Sequence, residues 1–138
     1  MSSASESGSA LSLVVIGLAL LAALGAAGFG TARQAHLASV AASHAAAAYH
    51  ASENALALYE SGAGPDTGSF RAVAAPAAVD VSARPLARMS TGEVLVLVVA
   101  SARSPDASPF ARRTLMAVFR VDTLGVRQAR EGTWRERI

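Results

Sequence analysis

Between Ser12 and Ala32 the chain runs 21 residues without a charged side chain. An α-helix needs ~20 apolar residues in succession to cross a bilayer, so this run fixes what the first quarter of the molecule can be. Lying near the start of a 138-residue chain, it reads either as a removable secretory signal or as an anchor. A secretory signal has a basic start, an apolar stretch of ~7–15 residues and an Ala-x-Ala-like cleavage site. Here Met1 to Gly8 holds no Lys or Arg. The apolar run is longer, and helix-forming sequence continues through the place where cleavage is expected. The run therefore reads as an anchor that stays.

Residues 32–61 read as the soluble half of the same helix. From Arg33 to Ser61 there is no Pro or Gly, and Ala, the best helix former, dominates. Leu37, Val40, Ala47, Ala48, Ala51, Leu58 and Tyr59 fall near one stripe at spacings of three, four and seven. The stripe is apolar but thin, and suits a helix laid against a sheet or against other helices. Gly62-Ala63-Gly64-Pro65 stops it, because glycine accepts a left-handed cap and proline cannot continue a helix. With residues 1–31 given to leader and membrane, about 107 residues are left, enough for one small domain and no second.

Residues 62–78 are small and irregular, with Gly68 and Pro76, and predict a connecting loop. Strand patterns fill 79–138. Val79 to Arg84 alternates, and Pro85 ends or bends it. Ser90-Thr91-Gly92 is a turn. Glu93 to Ala102 is a continuous aliphatic run, which predicts a central strand buried on both faces. Ser104 to Pro109 is a loop, and Arg112 to Asp122 a strand with Leu115, Ala117, Phe119 and Val121 on one face. Arg127 to Glu136 alternates weakly around Trp134 and predicts an edge strand. Short loops make an antiparallel meander the simplest topology. Its apolar face needs a cover, and the helix over 32–61 is the one candidate. The predicted fold class is α+β.

Little chemistry is written in the chain. It has no cysteine, which excludes disulfides and thiol catalysis, and every one of its 12 basic residues is arginine. Residues 1–70 carry one Arg and four acids, and residues 71–138 eleven Arg and six acids. The basic half reads as a soluble surface or as a face for an acidic partner, DNA or lipid headgroups. His36, His44 and His50 step by eight and six, whereas helical zinc ligands need i, i+3 or i+4. They read as surface or packing residues, and no metal or cofactor is expected. Glu53 and Glu60 are solvated helix acids, with Glu53 a candidate contact to a neighbouring subunit. No nucleophile elbow, phosphate loop or EF-hand is present, so an enzyme is not expected. Gly25 and Gly28, inside the apolar run, serve either close helix–helix packing or no special purpose. Trp134 with Arg127, Arg130, Arg135 and Arg137 could stack on nucleic acid or cap the core from an edge strand.

This layout resembles the type IV pilins and pseudopilins, which set a long half-hydrophobic N-terminal helix on a small antiparallel sheet. It is most similar to PilX-type minor pilins and minor pseudopilins. The likeness lies in Gly8-Ser9-Ala10-Leu11, in Tyr49-His50-Ala51-Ser52-Glu53-Asn54-Ala55-Leu56, and in the final Thr133-Trp134-Arg135-Glu136. It implies that a prepilin peptidase cuts after Gly8, removing residues 1–8 as a leader and leaving Ser9 as the mature N-terminus. It implies a transmembrane helix over 9–31 in the cytoplasmic membrane, with the C-terminal domain outside the cytoplasm. The implied partners are lipid before assembly, an inner-membrane assembly platform, and other pilins through the N-terminal helix. Most pilins carry a glutamate at the fifth mature residue, where this chain has Leu13. Inside lipid an unpaired carboxylate is costly. A subunit that initiates or caps a filament has no neighbour above it whose amine needs that partner. Two other readings stay open: a signal-anchored, TadE-like assembly protein outside any filament, and a DNA-binding component of an uptake pilus.

Overall fold

The computed structural model describes residues 3–74, 77–103 and 112–137, without the side chains of residues 3–10 and 74. One helix, α1 (Ser3–Glu60), precedes six strands: β1 (Gly68–Ala74), β2 (Ala77–Arg88), β3 (Val94–Arg103), β4 (Arg112–Val121), β5 (Arg127–Ala129) and β6 (Arg135–Arg137). The chain divides into two compact units, Met1–Val40 and Ala41–Ile138. The first is helix alone, and none of its described side chains is buried.

The second unit is an α+β domain in which residues 41–60 of α1 pack on an antiparallel sheet of order β1-β2-β3-β4-β5, with β6 also pairing β4. The helix contributes Ala48, Ala51, Ser52, Ala55, Leu56 and Tyr59, all at most 1% exposed. The buried stripe is therefore set further along than the sequence pattern suggests. Leu37 is 58% exposed and Leu58 39% exposed. In an alanine-rich helix the bulky residues are too few to set the phase, and the sheet decides which face is covered. Opposite the helix lie Val79, Val81 and Ala83 of β2, Val96, Val98, Ala100 and Ala102 of β3, and Leu115, Ala117, Phe119 and Val121 of β4.

Three expectations are corrected. Residues 68–74 are not loop. They form β1, paired along its length with β2 from Gly68↔Ala83 to Ala74↔Ala77. Small residues hide a strand from propensity, but Phe70 and Ala72 point to the core and the pairing supplies the backbone partners. The central strand β3 is buried on one face only; Leu95, Leu97 and Val99 on the other are half-buried. The expected edge strand is two short strands on the same side of β4. β5 pairs Phe119–Val121 and β6 pairs Thr114–Met116. A turn separates them, with Gly132 at φ +73 and the Thr133 hydroxyl donating to Arg130 O at 2.6 Å. The sequence-predicted loop over 104–109 lies outside the described residues. Proline at the second half of β2 bends the strand as expected, through a register shift between Pro85 and Ala87.

Candidate functional site

The residues singled out by sequence fall into both units. Gly8 and Ser9 lie within α1, among residues whose side chains are not described. Leu13 is 67% exposed. A Cβ added at Gly25 or Gly28 would meet nothing within 4 Å, so both glycines leave an open notch on the helix surface. Ten large apolar side chains from Leu11 to Phe29 are 56–74% exposed. At ~1.5–3 kcal/mol for burying each one fully, covering them is worth roughly 10–20 kcal/mol, as much as the whole stability of a small domain. This face therefore needs an apolar partner, and α1 is long and apolar enough for that partner to be a bilayer.

Glu53 stands on the solvent side of α1, where its carboxylate meets His50 Nδ1 at 3.3 Å. Tyr49 meets the same ring edge-on, with centroids 5.7 Å apart. Among the described residues no group of three acids or histidines could hold a metal ion. Trp134 is 41% exposed and stays outside the core.

Arg127 departs furthest from expectation. Sequence grouped it with Trp134, Arg130, Arg135 and Arg137, as a stack for nucleic acid or an edge-strand cap of the core; in the fold its side chain is 5% exposed and closes the end of α1. That end is built as a glycine stop. Gly62 takes φ +99, Gly62 N–H donates to Tyr59 O at 3.1 Å, and Ala63 N–H to Leu58 O at 2.9 Å. The helix has no basic residue in its own last turn, where the carbonyl ends carry partial negative charge. Arg127 supplies it from β5. Nη1 donates to Tyr59 O at 2.8 Å and Ala63 O at 2.9 Å, and Nη2 to Gly64 O at 2.8 Å. Nε and Nη2 both reach Asp66 Oδ1, at 3.1 and 2.8 Å. The guanidinium also lies 4.2 Å from the centre of the Tyr59 ring.

Tyr59 is the other half of this clamp. Its ring packs edge-on against Phe119 at 5.1 Å and its hydroxyl donates to Asp66 O at 2.8 Å. Burial raises its pKa above the ordinary tyrosine value; Arg127 opposes the shift and Asp66 adds to it. The arrangement holds protons and backbone in place. It locks the helix end, the β1 approach and β5 together. No local pattern announces it, because Arg127 in its strand looks like any surface arginine.

Four of the other arginines fall on one face of the sheet. Antiparallel pairing lines up Arg71, Asp80, Ser101, Thr114 and Arg137 in one row across β1, β2, β3, β4 and β6. One step further along the same face, Arg103 of β3 stands directly opposite Arg112 of β4. The sequence does hold a signal for this: Arg103 and Arg112 flank one connection, and a hairpin between their strands must oppose them.

No family model, curated protein or solved structure matches the chain.

Proposed function

We propose that this protein is a membrane-anchored minor pilin or minor pseudopilin, a non-enzymatic subunit that initiates or caps a type IV pilus-like filament. The observation that carries the reading is the split character of α1. Its residues from Leu11 to Phe29 expose ten large apolar side chains, while Ala48 to Tyr59 bury theirs on a small antiparallel sheet. A helix with one part dressed for lipid and another for a sheet suits a subunit stored in a bilayer and later transferred to a bundle of like helices. The same apolar surface serves both states. Gly25 and Gly28, open on the helix surface, allow such helices to approach closely. Leu13 in place of an acid fits a subunit with no neighbour above it.

The mature N-terminus of membrane-extracted protein, read by mass spectrometry, tests this. The expected result is a chain beginning at Ser9, N-methylated, after cleavage behind Gly8 by a prepilin peptidase. A chain retaining residues 1–8 would instead be a plain anchored domain of an assembly apparatus. Arg127, spent on the helix end, contributes nothing to the DNA-uptake reading; Arg130 and Arg135 are exposed.

A further inference from the structure

We infer that the face of the sheet turned away from α1 is the docking surface for an acidic amphipathic helix of a partner protein. A sheet has two faces, and residues 41–60 of α1 close one of them. On the other, Leu95, Leu97 and Val99 of β3 lie beside Met116 and Val118 of β4. All five are half-buried, and none belongs to the core that α1 closes. An apolar strip of this kind on a sheet is stabilised by a second layer.

The charge on the same face identifies that layer. To the four arginines already placed there, the register adds Arg84 opposite Leu97, Arg120 opposite Leu95 and Arg135 opposite Met116. All seven are exposed. Against them stand Asp80, paired with Arg71, and Glu93, 3.7 Å from Arg120. Asp106 and Glu131 belong to adjoining connections; with both counted against the arginines, four acids meet seven cations. The face keeps a positive excess, and its complement is acidic. Two copies of this chain meeting through it would bring the same charge to both sides. An apolar centre ringed by arginine is the composition of a protein–protein interface. Single-stranded nucleic acid is held by stacking on aromatic rings, and no described residue paired on this face carries one. A duplex is positioned through its phosphates and gains nothing from five apolar side chains.

The shape of the strip selects a helix. It is two strands wide, and from Leu95 to Val99 it runs ~13 Å. A helix is ~10–12 Å across with its side chains and covers that length in about nine residues. Laid along β3 and β4, it would have Arg84 of β2 on one side and Arg135 of β6 on the other. Among the described residues neither arginine has a carboxylate within 4.0 Å. Their strand partners Leu97 and Met116 are six and four residues from Arg103 and Arg112, where the 104–111 connection leaves the sheet. An apolar stripe at spacings of three and four would meet the strip, and acids on its two flanks would meet the guanidinium forks, which take carboxylates in bidentate fashion.

This inference does not rest on the filament reading, since an anchored assembly protein would use the same face. The test pans a phage-displayed library of helical peptides against the full chain in mild detergent, with Arg84→Glu/Arg135→Glu as the counter-target. Enriched peptides should carry acids flanking an apolar stripe. They should bind the wild type at least ten-fold tighter than Arg84→Glu/Arg135→Glu and several-fold tighter than Leu97→Ser. Replacing their acids by Lys should restore binding to Arg84→Glu/Arg135→Glu, which also shows that this variant is folded. No enrichment, enrichment of basic peptides, or equal binding to wild type and variants overturns the proposal. Tighter binding of a short DNA duplex than of any peptide, lost in Arg84→Glu/Arg135→Glu, overturns it in favour of nucleic acid. A wild type that sediments as a dimer, with the same variant a monomer, overturns it in favour of a second copy.

Discussion

Removing the Arg127 side chain should loosen the domain more than any other arginine substitution. In Arg127→Ala three carbonyls, Tyr59 O, Ala63 O and Gly64 O, lose a charged donor, and Asp66 loses its partner. A hydrogen bond to a charged group contributes ~1.5–3 kcal/mol, and an arginine over a tyrosine ring about 1 more. These do not add. Asp66 is 56% exposed, so its freed charge returns to water and the ion pair itself counts for little. Water also reaches some of the carbonyls. A net cost of about 3 kcal/mol remains, at the lower end of the ~3–5 typical of breaking a fully buried pair. For a domain of this size that lowers Tm by roughly 12–24 °C. The assay is thermal unfolding of the full chain in detergent, followed by near-ultraviolet circular dichroism of the aromatic residues, since the apolar part of α1 stays helical in micelles. Arg127→Lys keeps the charge and loses the fork, and should fall between. Arg130→Ala, at an exposed site, should stay within about 0.5 kcal/mol of wild type. If Arg127→Ala melts with Arg130→Ala, the clamp does not hold the helix end and the reasoning fails.

Three further outcomes follow from the same packing. Gly64 has φ +77 and an added Cβ would lie 2.7 Å from the Phe70 ring, so Gly64→Ala should cost about 2–3 kcal/mol. Gly125→Ala, at φ +80 in open space, should cost about 1, with urea midpoints separating the two. Ala51 is 1% exposed against the sheet, so Ala51→Leu should destabilise by about 1–3 kcal/mol, while Ala57→Leu on the exposed side of α1 stays near neutral in the same measurement. Tyr59 holds its proton in the fold above the usual value of about 10, while the unfolded chain ionises there. Its contribution is complete below pH ~10 and is lost as pH rises toward the folded value, so wild-type Tm should fall more steeply above pH ~10 than that of Tyr59→Phe. Parallel slopes in the two proteins would remove Tyr59 as the cause.

The helix and its stop, the central strand and β4 were legible because each is specified locally. Twenty-one uncharged residues, a run without Pro or Gly, and a left-handed glycine at Gly62 need no distant partner to be recognised. What the sequence hides depends on residues far apart in the chain. β1 is a strand because β2 pairs it, and Gly68, Ser69, Ala72 and Ala74 carry little strand preference of their own. The covered face of α1 is chosen by the sheet, since alanine on every side gives a helix no preferred phase. Arg127 reads as a surface charge until the fold brings it to carbonyls 63 to 68 residues earlier. The Arg103–Arg112 opposition sits between these cases. Neither arginine is informative alone, yet once β3 and β4 are taken as a hairpin their register forces the two charges together. Two strands with strong aliphatic patterns keep that register against the repulsion, because a slip of one residue would turn Val98, Ala100, Leu115 and Ala117 out of the core.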